Sequence, residues 1–90
     1  MLNTLESLFK LARERKKSPE EGSYTNKLLS DKSLSKDKIL EEINELIEAV
    51  EKNSNKIHEA ADVIYHLMVY LEANNIKIED VMSELKKRQK

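Results

Sequence analysis

The sequence has no cysteine or tryptophan, one glycine and one proline. The lack of cysteine excludes disulfide bonds and zinc sites built on thiolates. The two strong helix breakers, Pro19 and Gly22, lie close together, so helices are free to form through the rest of the chain. These absences predict one all-α domain over residues 1–90, too small for its core alone to be strongly stabilising. We therefore expect support from a second copy of the chain or from a hard metal ion.

Long apolar runs and an excess of one charge are also absent. No apolar stretch approaches the roughly 20 residues that a membrane span needs. Charged residues make up 37% of the chain but balance to a formal net charge of −1, which argues against a nucleic-acid partner held by bulk electrostatics. The first residues do not resemble a signal peptide. We therefore expect a cytoplasmic protein that binds neither membranes nor nucleic acids.

Apolar residues recur at helical spacing and predict four helices. Their expected bounds are 3–17, 36–52, a third helix that ends near 74, and 78–88. Asn3 and Ser35 should cap the first two helices, and Asn74-Asn75 should supply a left-handed exit from the third. The fourth helix should bury its apolar face, Val81, Met82 and Leu85. Residues 18–37 form an irregular segment with a short helical turn at 26–30, and loops this long in small domains are commonly functional.

The second predicted helix carries paired carboxylates at the edge of its apolar face. A helical wheel of about 100° per residue groups its apolar side chains on one side: Ile39, Ile43, Leu46, Ile47 and Val50. Glu42 and Glu45 fall on the shoulder of that face, whereas Glu41 and Glu48 point nearly the opposite way. Taken alone, the Glu42–Glu45 pair is more typical of a solvated face that pairs with lysines.

The third predicted helix is apolar around most of its circumference, which indicates a buried helix. Its one polar stripe contains Glu59, Asp62 and His66, and a solvated face there would require an explanation. Folding the hairpin about its turn places Glu45 level with Asp62, so that carboxylates meet on the facing shoulders of two antiparallel helices. We expect His66 to be a hydrogen-bonded neighbour of this group and His58 to lie on the surface.

Four crowded carboxylates are costly, because like charges in a partly dry place raise one another's pKa. A hard divalent cation among them offsets that cost, and oxygen ligands without cysteine favour magnesium, manganese or calcium over zinc. The pattern predicts a hard-metal site formed by Glu42, Glu45, Glu59 and Asp62. We expect Glu41 to lie near this site without binding the metal, because the wheel directs it away. The buried third helix also predicts a homodimer with that helix near its centre.

Several stretches resemble a known enzyme family. Two segments resemble the E-E-x-x-E and E-x-x-D signature of the MazG-like all-α nucleotide pyrophosphohydrolases: Glu41-Glu42-Ile43-Asn44-Glu45 and, after thirteen intervening residues, Glu59-Ala60-Ala61-Asp62. Within that superfamily the sequence is most similar to the phosphoribosyl-ATP pyrophosphatases, since Gly22-Ser23-Tyr24-Thr25 resembles their G-S-Y-T segment. Residues 59–67 likewise resemble their E-A-A-D-L-L-Y-H-L stretch. The resemblance covers nearly the whole chain.

The resemblance implies a four-helix MazG-like bundle, assembled as a dimer, that hydrolyses phosphoribosyl-ATP to phosphoribosyl-AMP and pyrophosphate in histidine biosynthesis. The four carboxylates would act in catalysis by holding magnesium or manganese. Phosphates also need cations and hydroxyl donors, and the family segment offers Ser23, Tyr24, Thr25 and Lys27. Lys38, one turn before Glu42, is a further candidate that either touches a phosphate or pairs with a carboxylate.

Two departures from the family pattern leave more than one possible substrate. Leu40 stands where the family often has glycine, and the turn between the second and third helices looks short. Either departure fits the alternative, a MazG-like pyrophosphohydrolase that acts on another nucleoside triphosphate. The rival from a different class is a non-catalytic helical adaptor whose acidic stripe docks a basic partner.

Overall fold

The chain folds into five α-helices in a computed structural model that describes residues 2–89. They are α1 (Asn3–Lys17), α2 (Tyr24–Ser30), α3 (Lys32–Lys52), α4 (Lys56–Ala73) and α5 (Ile78–Arg88). No strand occurs among the described residues, so the predicted all-α class is confirmed. The first and last predicted helices have the predicted bounds. The additional helix is α2, where the sequence indicated a helical turn.

A single residue, Asp31, joins α2 to α3. Its Oδ1 accepts a 3.0 Å hydrogen bond from the Leu34 amide and so caps α3. The prediction that this helix begins after a Ser35 cap is wrong, because Ser35 lies inside α3 and is only 2% exposed. Aspartate and serine are equally good N-caps, and helical periodicity does not choose between two caps that lie about one turn apart.

Left-handed asparagines shape the turns that flank α4. In the three-residue connection 53–55, Asn53 and Asn55 have positive φ angles of 54° and 56°. Asparagine tolerates this region better than most residues, so a short turn can make α3 and α4 antiparallel. Asn75, with φ of 59°, supplies the exit predicted after α4. The predicted Asn3 cap of α1 is wrong, since the capping position falls on Leu2, whose side chain accepts no hydrogen bond.

The central helix is α4, which packs against each of the other four. Val69 of α4 is fully buried together with Leu28 of α2 and Ala12 of α1, and Tyr65 packs against this group. The inner side of α4 is buried as predicted, whereas Ile57, Ile64 and Leu67 on its outer side are 88%, 46% and 36% exposed. Among the described residues, no helix is both long enough and apolar enough to cross a membrane.

Two predicted apolar faces are not covered within the chain. On α3, Ile43 and Val50 are 39% and 58% exposed, although the wheel places them at the middle of the buried face. On α5, Met82 and Leu85 are each 47% exposed, and Ile78 is the residue that is buried there. The predicted burial of these faces is wrong within one chain, because periodicity identifies an apolar face but not the element that covers it.

An ion pair fixes the start of α5 to α1. Arg13 donates hydrogen bonds of 2.8 Å to both carboxylate oxygens of Glu79, and such a two-pronged pair is among the stronger surface interactions. The guanidinium also lies over the Phe9 ring, 5.6 Å from its centroid. The hydrogen bonds from Arg13, followed by a backbone hydrogen bond, lower the pKa of Glu79 from 4.5 to about 2.

Replacing Glu79 with glutamine should lower the melting temperature by a few degrees at neutral pH, because Arg13 loses its charged acceptor. The folded pKa of Glu79 lies below the unfolded value of 4.5, so its contribution is present above that pH and disappears as pH falls towards 2. The difference in melting temperature between wild type and Glu79→Gln should therefore shrink in acid. Circular dichroism melts across this range measure the difference, with Glu84→Gln as the control on the same helix. A difference that does not vary with pH would contradict this account.

Candidate metal centre

The α3–α4 hairpin brings the predicted carboxylates together. One oxygen from each of Glu42, Glu45 and Glu59 lies within 4.8 Å of the other two. A second group that meets the same distance contains Glu59, Asp62 and His58. Because Glu59 belongs to both groups, Glu42, Glu45, Glu59 and Asp62 form one continuous carboxylate cluster between the two helices.

The carboxylate cluster is partly shielded from water, since each of its four side chains belongs to a half-buried residue. The Oε2 atoms of Glu42 and Glu59 are inaccessible, and no hydrogen-bond donor among the described residues reaches them. A buried carboxylate oxygen without a donor is unfavourable. A hard cation satisfies such oxygens, and an all-oxygen donor set suits magnesium or manganese. The residues present therefore fit a divalent cation.

Burial and crowding raise the pKa of two cluster members. The pKa of Glu42 is raised first by loss of solvent and then by the charge of Glu45, and His66 partly opposes the shift. The pKa of Glu59 is raised by loss of solvent and by its contact with Glu45. Both shifts show that the ionised carboxylates are destabilised by one another and by burial. A bound positive charge would relieve this cost, as expected for a cation site.

The pairing across the two helices differs in register from the sequence prediction. The hairpin argument places Glu45 level with Asp62, but in the structure Glu45 meets Glu59, one turn nearer the connection. A glutamate side chain can bridge one turn, about 5.4 Å along the axis, so the level of the backbone does not fix where its carboxylate lies. Glu41 is exposed and pairs with Lys38 across 3.4 Å, on the side to which the wheel directs it.

His58 is the neighbour of the cluster that the sequence prediction did not include. It lies on the surface, as expected, but its Nε2 is 3.4 Å from Oδ2 of Asp62. Residues at i and i+4 share one face of a helix, and this spacing is the signal that could have identified the contact.

His66 connects the carboxylate cluster to α2. The side chain is buried, with Nδ1 2.8 Å from the carbonyl oxygen of Asp62 and Nε2 3.1 Å from the Tyr24 hydroxyl. The expectation that His66 is a hydrogen-bonded neighbour of the cluster is confirmed. Thr25 is also buried, and its hydroxyl lies 2.5 Å from that of Tyr65, which places Thr25 in the contact between α2 and α4.

The other candidate substrate contacts lie in two places. The Tyr24 hydroxyl is connected through His66 to the backbone of Asp62, and Lys38 pairs with Glu41, the neighbour of Glu42 in the chain. Ser23, Tyr24 and Lys27 line an open cavity of about 820 Å³ between the end of α1 and α2, and none of the four cluster carboxylates lines it. Three of the predicted substrate contacts therefore share this cavity, whereas Thr25 is buried and Lys38 does not line it.

Residues 3–89 match the family described as phosphoribosyl-ATP pyrophosphohydrolase. The phosphoribosyl-ATP pyrophosphatase of Clostridium acetobutylicum is 47% identical over 90 residues, which cover 93% of this chain and 79% of the relative. That of Bacillus cytotoxicus is 45% identical over 94 residues, covering 98% and 85% respectively. A histidine biosynthesis bifunctional protein of Pyrococcus furiosus is 40% identical over 92 residues, and the chain spans only 43% of the length of that relative.

Replacing Glu42 with glutamine should raise the melting temperature of the metal-free protein by a few degrees at neutral pH, because one crowded charge is removed. The folded pKa of Glu42 lies above 4.5, so the metal-free wild type should gain stability as pH falls from neutral towards that value. The Glu42→Gln variant should lack most of this gain, and Glu51→Gln, an exposed position on the same helix, should retain it. Melts with and without magnesium measure the effect. If the melting temperatures of wild type and Glu42→Gln depend equally on pH, the conclusion that crowding raises the pKa of Glu42 is wrong.

Proposed function

Because the chain belongs to the phosphoribosyl-ATP pyrophosphohydrolase family, we propose that it hydrolyses phosphoribosyl-ATP to phosphoribosyl-AMP and pyrophosphate, a step of histidine biosynthesis. The observation that carries this proposal is the carboxylate cluster, in which two inaccessible oxygens lack a donor. A triphosphate brings several negative charges to a site that is itself negative. Substrate binding therefore requires a cation, and the cluster attracts one.

The proposed ligands are Glu42, Glu45, Glu59 and Asp62, and the proposed ion is magnesium or manganese. When bound, such an ion neutralises phosphate oxygens and lowers the pKa of a coordinated water. A cluster oxygen that is not engaged as a ligand is placed to act as general base toward the attacking water.

Lys38 is a candidate phosphate contact that pairs with an acidic residue in the free protein. Its ammonium pairs with exposed Glu41 across 3.4 Å, and a surface pair of this kind contributes little and exchanges easily. The two roles that the sequence left open for Lys38 are therefore compatible. It pairs with Glu41 in the free protein, and it is available to a phosphate oxygen when substrate binds.

The homodimer is also a proposal, and it rests on the outer surface of the α3–α4 hairpin. Large apolar side chains that are at least one-third exposed follow both helices: Leu40, Ile43, Ile47, Val50, Ile57, Ile64 and Leu67. Monomeric proteins rarely expose so extended an apolar face, and a two-fold axis would cover it with the same face of a second copy. Leu40 is 53% exposed and lies about 200° from Glu42 on the helical wheel, so its departure from the usual glycine falls on this face.

The wild-type protein should release pyrophosphate from phosphoribosyl-ATP in magnesium and should stop when the metal is chelated. Asp62→Asn should lower kcat/KM by about 100-fold or more, since even outer partners of metal ligands are commonly worth 10- to 100-fold. Glu51→Gln is the matched control on α3 and should retain activity. Calorimetry should show weaker magnesium binding by Asp62→Asn.

Three results would redirect the assignment. Hydrolysis of a nucleoside triphosphate panel without hydrolysis of phosphoribosyl-ATP would favour the related enzyme that acts on another nucleotide. No hydrolysis and no stabilisation by magnesium would favour the non-catalytic adaptor. Unchanged magnesium affinity in Asp62→Asn would remove this residue from the ligand set.

Sedimentation should find the wild-type protein as a dimer at micromolar concentration. Ile47→Asp places a charge on the α3–α4 apolar face and should shift the protein to a monomer, because burying an unpaired charge is costly. Leu11→Asp, a comparable change at a half-exposed leucine of α1, should remain dimeric. A stable folded wild-type monomer at this concentration would reject the dimer.

A further inference from the structure

The open cavity between the end of α1 and α2 is separated from the carboxylate cluster by two side chains. Tyr24 belongs to the wall of this cavity, whose volume is about 820 Å³. The Tyr24 hydroxyl bonds with Nε2 of His66 across 3.1 Å, and Nδ1 of His66 lies 2.8 Å from the carbonyl oxygen of Asp62. An extended nucleoside triphosphate is of comparable length, so its base can reach the cavity while its phosphates lie at the cluster.

Hydrogen bonds within the chain hold the rim of the cavity in place. The side-chain amide of Asn26 donates to the carbonyl oxygen of Arg15 and accepts from the amide of Glu20, both at 2.7 Å. The Ser23 hydroxyl oxygen accepts from the Asn26 amide at 3.3 Å and from the Arg15 guanidinium at 3.1 Å. Arg15 also pairs with Glu20 across 2.9 Å. The cavity is therefore a formed feature of the free protein, as ligand sites commonly are.

Three groups that line the cavity remain available to a ligand. The ring of Tyr24 stacks on that of Tyr65, with centroids 6.4 Å apart and planes 17° apart, yet Tyr24 is 45% exposed. Glu21 and Lys27 also line the cavity, and neither side chain has an ion-pair partner among residues 2–89. A supported aromatic face with an acid and a base beside it suits a flat, charged ring such as a nucleobase.

The proposed substrate differs from ATP in the two charges that such a cavity can recognise. Phosphoribosyl-ATP carries its additional phosphoribosyl group on nitrogen N1 of adenine. Substitution there makes the neutral base an imine, which is protonated at neutral pH, so the ring is a cation. A cationic ring is attracted to the face of a tyrosine, and its exocyclic amine is a strong donor to a carboxylate. The additional phosphate is an anion that can pair with an ammonium group.

We propose that this cavity binds the phosphoribosyl-adenine end of the substrate and selects it over nucleotides without a substituent on N1. Tyr24 stacks on the cationic adenine, Glu21 accepts a hydrogen bond from its exocyclic amine, and Lys27 pairs with the additional phosphate. The identity of the ligand rests on the proposed function. Tyr24 then contributes its ring rather than a hydroxyl donor, and Ser23 shapes the cavity instead of contacting a phosphate.

Binding of nucleosides to the metal-free protein tests the selectivity without any hydrolysis. At neutral pH, N1-methyladenosine is a cation and adenosine is neutral, although they differ by only a methyl group. In NMR titrations, N1-methyladenosine should shift the backbone amide signals of residues 20–27 and should bind about fivefold more tightly than adenosine. Equal affinity for the two nucleosides, or shifts that do not include these residues, would overturn the proposal.

Two substitutions of Tyr24 separate stacking from a structural role. Tyr24→Leu removes the aromatic face and should weaken binding of N1-methyladenosine about tenfold. Tyr24→Phe keeps the ring and loses the hydrogen bond to His66, and it should bind the nucleoside as the wild type does. An equal loss of binding in both variants would assign the effect to the structure of α2 and would overturn the stacking.

Kinetics with phosphoribosyl-ATP test the two charged contacts. Glu21→Gln and Lys27→Met should each raise KM about threefold, as expected for an exposed charge pair. The value of kcat should not change, because these contacts are remote from the reacting phosphates. Glu14→Gln and Lys32→Met alter exposed residues that do not line the cavity and should leave KM unchanged. An unchanged KM in Glu21→Gln and Lys27→Met would overturn the assignment of these residues.

Failure of this inference is distinguishable from failure of the proposed function. A wild-type protein that does not hydrolyse phosphoribosyl-ATP would defeat the proposed function. In that case the comparison of N1-methyladenosine with adenosine still decides whether the cavity selects a cationic adenine.

Discussion

The packing of the other four helices against α4 is the constraint on which the rest of the structure depends. A helix that is apolar around most of its circumference needs cover, and a chain of 90 residues has few elements to provide it. Helices α1, α2 and α3 pack along α4, and α5 touches it. The same packing places the shoulder of α3 against the one polar stripe of α4, so the carboxylate cluster is a direct result of how the core is covered.

Repulsion within the carboxylate cluster opposes the packing that creates it. Leu34 of α3 packs against the buried group of Ala12, Leu28 and Val69, and this apolar contact holds α3 to α4 against the repulsion of the carboxylates. A ligand that binds the folded state alone adds its binding free energy to stability. A cation between α3 and α4 would therefore stabilise the hairpin as well as the site, and it would couple the stability of the fold to the ion proposed for the site.

Much of the site could be predicted from the sequence because it depends on two periodic helices and one short turn. The wheel selects Glu42 and Glu45, and the antiparallel hairpin brings them to Glu59 and Asp62. The wrong cap at Ser35 and the shifted partner of Glu45 have different causes. Asp31 and Ser35 are chemically equivalent caps, and flexible glutamate side chains are not bound to the level of their backbone.

Other features could not be predicted from the sequence, because they depend on contacts between distant parts of the chain. The seven residues of α2 span about two turns, too few for apolar periodicity to define a helix. The hydrogen bond between Tyr24 of α2 and His66 joins residues 42 positions apart. Asp31 is the single residue between α2 and α3, and it also caps α3. A change in the orientation of α2 would therefore disrupt the first turn of α3. One inserted residue there would change the position of α2 relative to α3 and carry Tyr24 away from His66, so the length of this joint is fixed by the contact between α2 and α4.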